Sequence, residues 1–168
     1  KKSAEEIETY LTDASNYHGN AELLYIPANE EELKSVIEEC HNNKIPITLR
    51  GAGTGLTGAS VPESGAIISL EKFNTIISVD TEKLLAKVQP GVLLNDLQQE
   101  LNRLGFFYPP NPTEKNSAVG GNIATNASGS RTFKYGATRK YVRSIKVVLA
   151  NGDELYLDRN DPPVDTRS

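Results

Sequence analysis

The chain of 168 residues has room for one ordinary domain or for two small subdomains that share a core. Its formal net charge of -4 offers no basic surface for a nucleic-acid backbone, which argues against DNA or RNA as a partner. The single cysteine, Cys40, excludes an internal disulfide and the usual structural zinc sites, so a reducing compartment is expected. His18 and His41 are too far apart to be ligands on one helix, and we assign no metal.

The first part of the chain predicts helices and short strands in alternation. Apolar residues at helical spacing predict a helix over Ser3–Asn16. Leu23–Ile26 predicts a short strand, and Asn29 is the predicted N-cap of a helix with three glutamates in its first turn. That helix is expected to end within His41–Lys44, before a second strand over Ile45–Leu49. The unit is therefore interpreted as strand, helix, strand.

The rest of the chain predicts one long helix and several strands. A leucine stripe predicts a helix over Val92–Leu104, with Gly105 as its C-terminal cap. The pair Asn151–Gly152 is the strongest hairpin signal in the sequence. Strands are predicted at Ala66–Leu70, at the pair Ile76–Val79 and Leu84–Val88, and at the hairpin pair Ser144–Ala150 and Glu154–Leu157.

A glycine-rich loop directly follows the predicted strand Ile45–Leu49. Successive amides in such a loop can form a concave nest for phosphate oxygens, because glycine has no Cβ to keep an anion away. The two threonines of the loop add hydroxyl donors. A tight structural turn between two strands remains the alternative interpretation. The candidate binding residues are Arg50, Gly51, Ala52, Gly53, Thr54, Gly55, Leu56, Thr57 and Gly58.

Two common nucleotide-binding loops do not fit this segment. Gly53, Gly55 and Gly58 satisfy the spacing G-x-G-x-x-G, but a Rossmann loop opens a helix, whereas Pro62 and Gly65 prevent a long helix here. The Gly-Lys-Ser/Thr ending of a nucleoside triphosphate loop is also missing from the segment. A phosphate nest made mostly of backbone is the prediction that survives.

A second segment, with Pro109–Thr113 followed by Ser117–Gly129, is dominated by small residues. Gly, Ala and Ser bury little apolar surface, so this segment is better suited to lie against a large flat ligand than to pack by itself. A loop-rich junction between subdomains is the alternative interpretation.

The motifs RGAGTGLTG, PPNPTEKNSAVGGNIATNASG, FKYG and VRSIKVVLANGDEL occur in this order. Together they resemble the FAD-binding domain of the vanillyl-alcohol oxidase and p-cresol methylhydroxylase type, in the branch of D-lactate dehydrogenase and the glycolate oxidase large subunit. The resemblance implies an α+β fold of two subdomains, in which a small strand–helix–strand unit precedes a mixed or antiparallel sheet flanked by helices. It places the FAD pyrophosphate on Gly51–Gly58 and the flavin and adenosine on the second segment. The contacts implied there are Pro112, Ser117, Gly120, Gly121, Asn122, Ala124, Asn126, Gly129, Tyr135 and Gly136.

The resemblance also implies what the full enzyme does. Members with covalent flavin often carry a histidine at the position of Thr54, so non-covalent FAD is expected here. The implied reaction oxidises a small 2-hydroxy acid to a 2-oxo acid and passes electrons to an acceptor protein or a quinone. A cytoplasmic location follows, either free or peripheral to the inner membrane. Related sugar, alcohol or aldehyde oxidases, an enolpyruvyl-sugar reductase, or a non-catalytic nucleotide-binding domain are the alternatives.

The expected organisation has three parts. Residues 1–21 form an N-terminal helical segment, residues 22–157 the FAD-binding domain, incomplete at its C-terminus, and residues 158–168 a tail or linker. The substrate or cap domain is expected to be absent, so the chain alone is expected to be inactive, and no catalytic residue is assigned. Arg131, Lys134 and Arg139 could approach a substrate carboxylate or could simply be solvated surface cations.

Overall fold

The computed structural model describes residues 7–161. A small parallel sheet forms the first half of this region, and two antiparallel hairpins with short helices between them form the second. The elements are β1 (Leu23–Tyr25), α1 (Glu30–Asn42), β2 (Ile47–Arg50), β3 (Ala66–Ser69), β4 (Ile76–Asp80), β5 (Leu85–Val88), α2 (Leu94–Arg103), α3 (Val119–Ala124), α4 (Thr132–Tyr135), a 3-10 helix (Thr138–Tyr141), β6 (Ser144–Val148) and β7 (Glu154–Asp158).

The parallel sheet has the strand order β1-β3-β2. β3 lies between the two strands of the predicted strand–helix–strand unit and pairs with both, so that Ile67 is opposite Leu24 on one side and Thr48 on the other. All four residues of β3 are buried, which is typical of a central parallel strand covered on both faces. Because the strands are parallel, the connection from β2 to β3 starts at the carboxyl edge of the sheet, where ligands usually bind in such sheets.

Helix α1 begins as the sequence predicts. The Asn29 side chain accepts a hydrogen bond from the Glu32 amide at 2.9 Å, and the Glu32 carboxylate accepts one from the Ala28 amide at 2.8 Å. This reciprocal cap and the acidic first turn both stabilise a helix N-terminus. The buried side chains of α1 are Ile37 and Cys40.

Helix α1 also contacts the C-terminal hairpin. Lys146 on β6 pairs with Glu30 at 2.7 Å and with Glu154 on β7 at 3.1 Å. Lys34 pairs with the same Glu154 at 2.5 Å. Glu30 and Lys34 are one helical turn apart, so one face of α1 lies along the hairpin.

Two apolar clusters match the predicted division into subdomains. The first contains Ile7, Leu11, Leu24 and Ile67 and belongs to the parallel sheet. The second contains Val92, Leu97, Leu101 and Val119, against which the β4–β5 hairpin packs. Helix α2 therefore buries the predicted leucine stripe, and Gly105 follows it with a φ of +82°. The α+β prediction is confirmed, and its antiparallel strands form two separate hairpins.

The predicted helix over Ser3–Asn16 is wrong in its larger part. Residues 3–6 lie outside the described region, Ile7 and Glu8 are helical, and the chain turns at Thr9 and Tyr10. Asp13 accepts a hydrogen bond from the Ser15 amide, and the Leu11 carbonyl accepts one from Gly19. Such local side-chain bonds compete with a helix. Among residues 7–161, no helix is long and apolar enough to cross a membrane.

The C-terminal hairpin differs from a two-residue turn. The Leu149 amide donates to the Asp153 carbonyl at 2.8 Å, so three residues form the loop. Only Gly152 has a positive φ, at +88°, which fits a turn followed by a left-handed glycine. The residues predicted as the tail, 158–168, are described only as far as residue 161.

Candidate functional site

The glycine-rich loop leaves the carboxyl edge of the sheet directly after β2. Its central residues Ala52, Gly55, Leu56 and Thr57 are exposed, and Leu56 keeps 76% of its surface accessible. No backbone carbonyl among residues 7–161 accepts a hydrogen bond from the amides of residues 52–57. Consecutive unpartnered amides are what an anion-binding nest requires.

The glycines of this loop serve different purposes. Gly53 and Gly58 have φ angles of +67° and +71°, a backbone conformation that favours glycine. Gly55 is not at positive φ and is exposed, so the bend of the loop does not require glycine there. A Cβ atom on Gly51 would lie 3.0 Å from the Cβ of Ala118, which brings the start of this loop against the second small-residue segment.

Arg50, at the end of β2, connects the loop to the N-terminal segment. Its Nη1 donates to the Thr12 carbonyl at 2.8 Å, and its guanidinium lies 5.6 Å from the centre of the Tyr10 ring. Burial lowers the pKa of Arg50, and the nearby Asp13 carboxylate opposes that effect. The structure thus gives Arg50 an anchoring contact within the protein.

Asp13 is a buried carboxylate beneath the loop. Its Oδ1 accepts hydrogen bonds from the Ser15 amide at 2.9 Å and the Ser15 hydroxyl at 2.5 Å, and its Oδ2 accepts one from the Ser60 hydroxyl at 3.5 Å. Burial raises the pKa of Asp13, but these bonds and one from the Gly58 amide outweigh burial and hold the pKa below its ordinary value. Asp13 therefore remains ionised at neutral pH.

The second segment contains helix α3, which docks on the turn before α2. The Gly120 amide donates to the Pro90 carbonyl at 2.8 Å, and the Leu94 amide donates to the Ser117 carbonyl at 2.9 Å. A Cβ atom on Gly120 would lie 2.9 Å from the Pro90 carbonyl oxygen, which is closer than real Cβ atoms approach. The protein's own packing therefore requires glycine at position 120.

Other predicted contacts in this segment are also part of its framework. The buried Asn122 side chain donates to the Ser117 hydroxyl at 2.9 Å, and that hydroxyl donates to the Glu114 carbonyl at 2.7 Å. Pro112 is buried and forms an isolated antiparallel bridge with Gly129. A Cβ atom on Gly129 would overlap the carbonyl oxygen of Asn111.

Gly121 differs from these neighbours. Apart from its two chain neighbours and the backbone of its own helix, no atom of residues 7–161 lies within 4 Å of the place where its Cβ would be, and its φ is not positive. Glycine inside a helix costs about 1 kcal/mol relative to alanine. Ala124, one turn later, is exposed like Gly121. This face of α3 is therefore open, and a side chain on Gly121 would fill the space.

The remaining predicted residues follow α3. Asn126 has a φ of +49°, and its side-chain oxygen accepts a hydrogen bond from the Arg139 amide at 2.9 Å. Tyr135 packs edge-on against Phe107, with ring centres 5.7 Å apart. Gly136 ends α4 with a φ of +90°. These residues fix the chain between α3 and β6.

A cleft of about 360 Å³ runs beside the start of the glycine-rich loop. Glu71, on its wall, accepts hydrogen bonds from the Tyr10 hydroxyl at 2.9 Å and the Ser69 hydroxyl at 2.8 Å. The carboxylates of this wall suit hydroxyl or amino groups better than phosphate. The cleft is lined by Thr9, Tyr10, Arg50, Gly51, Ala52, Glu71, Asn74, Gly91, Leu93 and Asp96.

Sequence reasoning missed several residues that shape the site. Asp13 carries a detectable signal, since Asp followed two residues later by Ser favours a side-chain-capped turn. Gly91 follows a proline, and a Cβ there would lie 2.8 Å from the Phe73 carbonyl oxygen. Ala118 gave no signal of its contact with Gly51, because the two residues are far apart in sequence.

Comparison with known proteins agrees with this geometry. A family model described as an FAD binding domain matches residues 21–158. The chain is 47% identical over 153 residues to a D-lactate dehydrogenase from Anaerostipes hadrus, which covers 89% of this chain and 32% of that protein. It is 42% identical over 147 residues to the glycolate oxidase subunit GlcD from Bacillus subtilis (strain 168), with 86% and 31% covered. The chain thus spans about a third of the length of these relatives.

The fold is similar to that of solved structures with low sequence identity. For 6-hydroxy-D-nicotine oxidase from Arthrobacter nicotinovorans the TM-score is 0.82 at 21% identity, with 97% of this chain and 35% of that chain covered. For an alkyldihydroxyacetonephosphate synthase the TM-score is 0.73 at 26% identity, with 82% and 28% covered. The resemblance identified from the sequence motifs is confirmed. The chain belongs to the family of FAD binding domains, and its cofactor is FAD.

Proposed function

We propose that this chain is the FAD-binding part of a flavin-dependent oxidoreductase that oxidises a small 2-hydroxy acid, of the D-lactate or glycolate type, to the 2-oxo acid. The relatives named D-lactate dehydrogenase and glycolate oxidase subunit support this substrate class, at 47% and 42% identity. The observation that supports the FAD assignment is that two different surfaces, the glycine-rich loop and the open face of α3, lie next to each other. The amides of residues 52–57, which have no backbone carbonyl partner among residues 7–161, adjoin a helix with an open face through Gly51 and Ala118.

The residues of the two segments divide into binding and supporting groups. We assign the pyrophosphate to the amides of residues 52–57, with the hydroxyls of Thr54 and Thr57 as additional donors. We assign the flat ring system to the open face of α3 at Gly121 and Ala124, where a Cβ on Gly121 would fill the space. The group of Pro112, Ser117, Gly120, Asn122 and Gly129 holds that face in place.

When bound, FAD supplies the acceptor for the hydride equivalent that leaves the substrate C–H bond. The chain contributes binding and orientation to this reaction. A proton acceptor for the substrate hydroxyl is not assigned to this region, since His18 is an exposed side chain 3.4 Å from Glu8 and His41 lies in the last turn of α1. Arg131 lies 5.2 Å from the Phe107 ring centre and Lys134 5.1 Å from that of Tyr135, so both cations border the region beyond α3.

We propose that the FAD is held without a covalent bond. The family resemblance implies that covalent members often carry the linking histidine at the position of Thr54, and a threonine hydroxyl cannot form a histidyl link. Acid precipitation of the purified holoprotein is expected to leave the yellow flavin in the supernatant. Flavin that stays with the precipitated protein would contradict non-covalent binding.

The proposed surroundings of the enzyme follow from its chemistry. Reduced flavin must pass its electrons on, and an electron-acceptor protein or a quinone is the proposed recipient. The proposed location is cytoplasmic, with contact to the inner membrane if the acceptor is a quinone. Reoxidation of the reduced enzyme by a soluble quinone analogue, in the absence of oxygen, tests this recipient.

The substrate class is tested on the full-length protein. Under anaerobic conditions, D-lactate or glycolate is added to the oxidised holoenzyme and the visible flavin absorbance is followed. We expect bleaching by at least one of these acids and none by an oligosaccharide or a simple alcohol. Bleaching by a sugar but by no 2-hydroxy acid would contradict the proposed substrate.

A further inference from the structure

A buried charge lies beneath the glycine-rich loop without touching the proposed path of the cofactor. Asp13 retains only 7% of its accessible surface. A buried carboxylate is costly unless it is hydrogen-bonded. Asp13 accepts hydrogen bonds from the amide and hydroxyl of Ser15 in its own segment, and from the hydroxyl of Ser60 just after the loop. The carboxylate thus joins two segments that are far apart in sequence.

The two ends of the loop are held by neighbouring residues of one segment. At the start of the loop, the Thr12 carbonyl accepts a hydrogen bond from Arg50 at 2.8 Å. At its end, Asp13 accepts a hydrogen bond from the Ser60 hydroxyl at 3.5 Å. Between them, the position of a Cβ on Gly55 would be 3.3 Å from Asp13 Oδ2, so the carboxylate also lies close to the middle of the loop.

The loop needs such support because its own backbone is poorly constrained. Glycine loses more conformational freedom on ordering than any other residue. The amides of residues 52–57 have no backbone carbonyl partner among residues 7–161 that would fix their direction. A loop that is ordered before its ligand arrives binds more tightly, because the cost of ordering is not subtracted from the binding free energy.

We infer that Asp13 is a positioning residue, which orders the glycine-rich loop for the diphosphate of the cofactor while binding no part of the cofactor itself. This inference rests on the proposed assignment of the FAD pyrophosphate to that loop. In this arrangement the Ser60 hydroxyl bonds to the inner carboxylate, and the amides of residues 52–57 bind the diphosphate. Asp13 therefore acts on the diphosphate half of FAD and not on its flavin ring.

The test compares two ligands on apoprotein prepared from the full-length enzyme. FAD contains the diphosphate, and riboflavin contains the same ring without any phosphate. Asp13→Asn keeps the shape of the side chain but removes its charge and can present an amide donor to Ser60. The matched control is Asp80→Asn, because Asp80 caps a turn in the same way, accepting from the Glu82 and Lys83 amides at 3.1 and 2.9 Å, in the β4–β5 hairpin.

We expect Asp13→Asn to weaken FAD binding by about tenfold or more, as the loss of hydrogen bonds to a buried charge implies. Riboflavin binding should stay within about twofold, and Asp80→Asn should change neither affinity. An unchanged FAD affinity in Asp13→Asn, or an equal loss for FAD and riboflavin, would overturn the inference. Equal loss would mean that Asp13 supports the fold alone.

The experiment also distinguishes a variant that does not fold from a wild-type protein that binds no FAD. If Asp13→Asn does not fold, Ser60→Ala removes one donor and keeps the carboxylate, and a smaller loss confined to FAD is expected. The same affinities in Ser60→Ala and wild type would then overturn the inference. If wild-type protein binds no FAD, the proposed function fails, whereas normal FAD binding in Asp13→Asn removes only the role of Asp13.

Discussion

The two small-residue segments of this chain look alike in sequence and differ in what their glycines do. In the glycine-rich loop, Gly55 is exposed and not at positive φ, and its neighbouring amides have no carbonyl partner within the described part of the chain. In the second segment, Gly120 and Gly129 have no room for a Cβ because the backbones of Pro90 and Asn111 approach them. Glycine density alone therefore does not distinguish a ligand site from close backbone packing. The atoms around the Cβ position of each glycine make this distinction.

The largest expected effect is on folding, at the tightly packed glycines. Gly129→Ala and Gly120→Ala should each destabilise the protein by about 2–3 kcal/mol, because a backbone segment must move to admit the new Cβ. Chemical denaturation of the apoprotein measures this loss. Wild-type stability in either variant would break the distinction between framework and ligand-facing glycines.

The next effect is on FAD binding, at the exposed glycine of the first loop. Gly55→Val should weaken FAD affinity by about tenfold or more, since its Cβ would lie 3.3 Å from the Asp13 carboxylate and its branched side chain would crowd the amides assigned to the pyrophosphate. The free energy of unfolding of the apoprotein should fall by only about 1 kcal/mol, because the carboxylate needs to shift slightly to admit the Cβ. Flavin fluorescence titration and denaturation together measure the two effects.

Gly105→Ala is the control for Gly55→Val. Unlike Gly55, whose Cβ would lie 3.3 Å from Asp13 Oδ2, Gly105 has no atom of residues 7–161 within 4 Å of its Cβ position, and it follows α2 with a φ of +82°, outside both segments. The substitution should cost some stability through backbone strain and leave FAD affinity unchanged. Equal losses of stability and FAD affinity in Gly55→Val would instead support a purely structural turn.

A smaller effect is expected at the buried polar pair of the second segment. Ser117→Ala leaves the Asn122 side-chain amide without its partner and should cost about 1 kcal/mol of unfolding free energy. FAD affinity should fall only to the extent that the substitution displaces α3. Thermal unfolding at several FAD concentrations separates the two, because a binding defect changes the dependence on FAD and a folding defect shifts all curves together.

Much of the fold could be predicted where local signals and packing agree. The Asn29 cap and the leucine stripe of α2 are examples, since each signal is contained within its own helix. The N-terminal helix was wrong because Asp13 and Ser15 form a local turn that the apolar spacing does not reveal. Helix α3 was not predicted because its two glycines disfavour a helix. Hydrogen bonds from α3 to the carbonyls of Pro90 and Val92 stabilise it in the fold.

The site was predictable in its outline and not in its internal division of roles. The nest at Gly51–Gly58 followed from glycine spacing and from the strand before it. The anchoring of Arg50 by Thr12 and the contact of Gly51 with Ala118 depend on how distant segments pack. The assigned contacts on both segments stay predictions until FAD binding is measured.

The most direct measurement substitutes Gly121. If Gly121 faces the ligand, a side chain there should stabilise the apoprotein, whereas at a framework glycine it would destabilise the protein. Gly121→Leu replaces glycine inside a helix with a good helix former, and no described atom beyond that helix lies within 4 Å of the Cβ position. We predict that the apoprotein becomes more stable, by up to about 1 kcal/mol. We also predict that its FAD affinity falls by about tenfold or more, because the side chain fills the face assigned to the ring system. A stabilised variant that binds FAD like wild type would contradict the placement of the cofactor on α3.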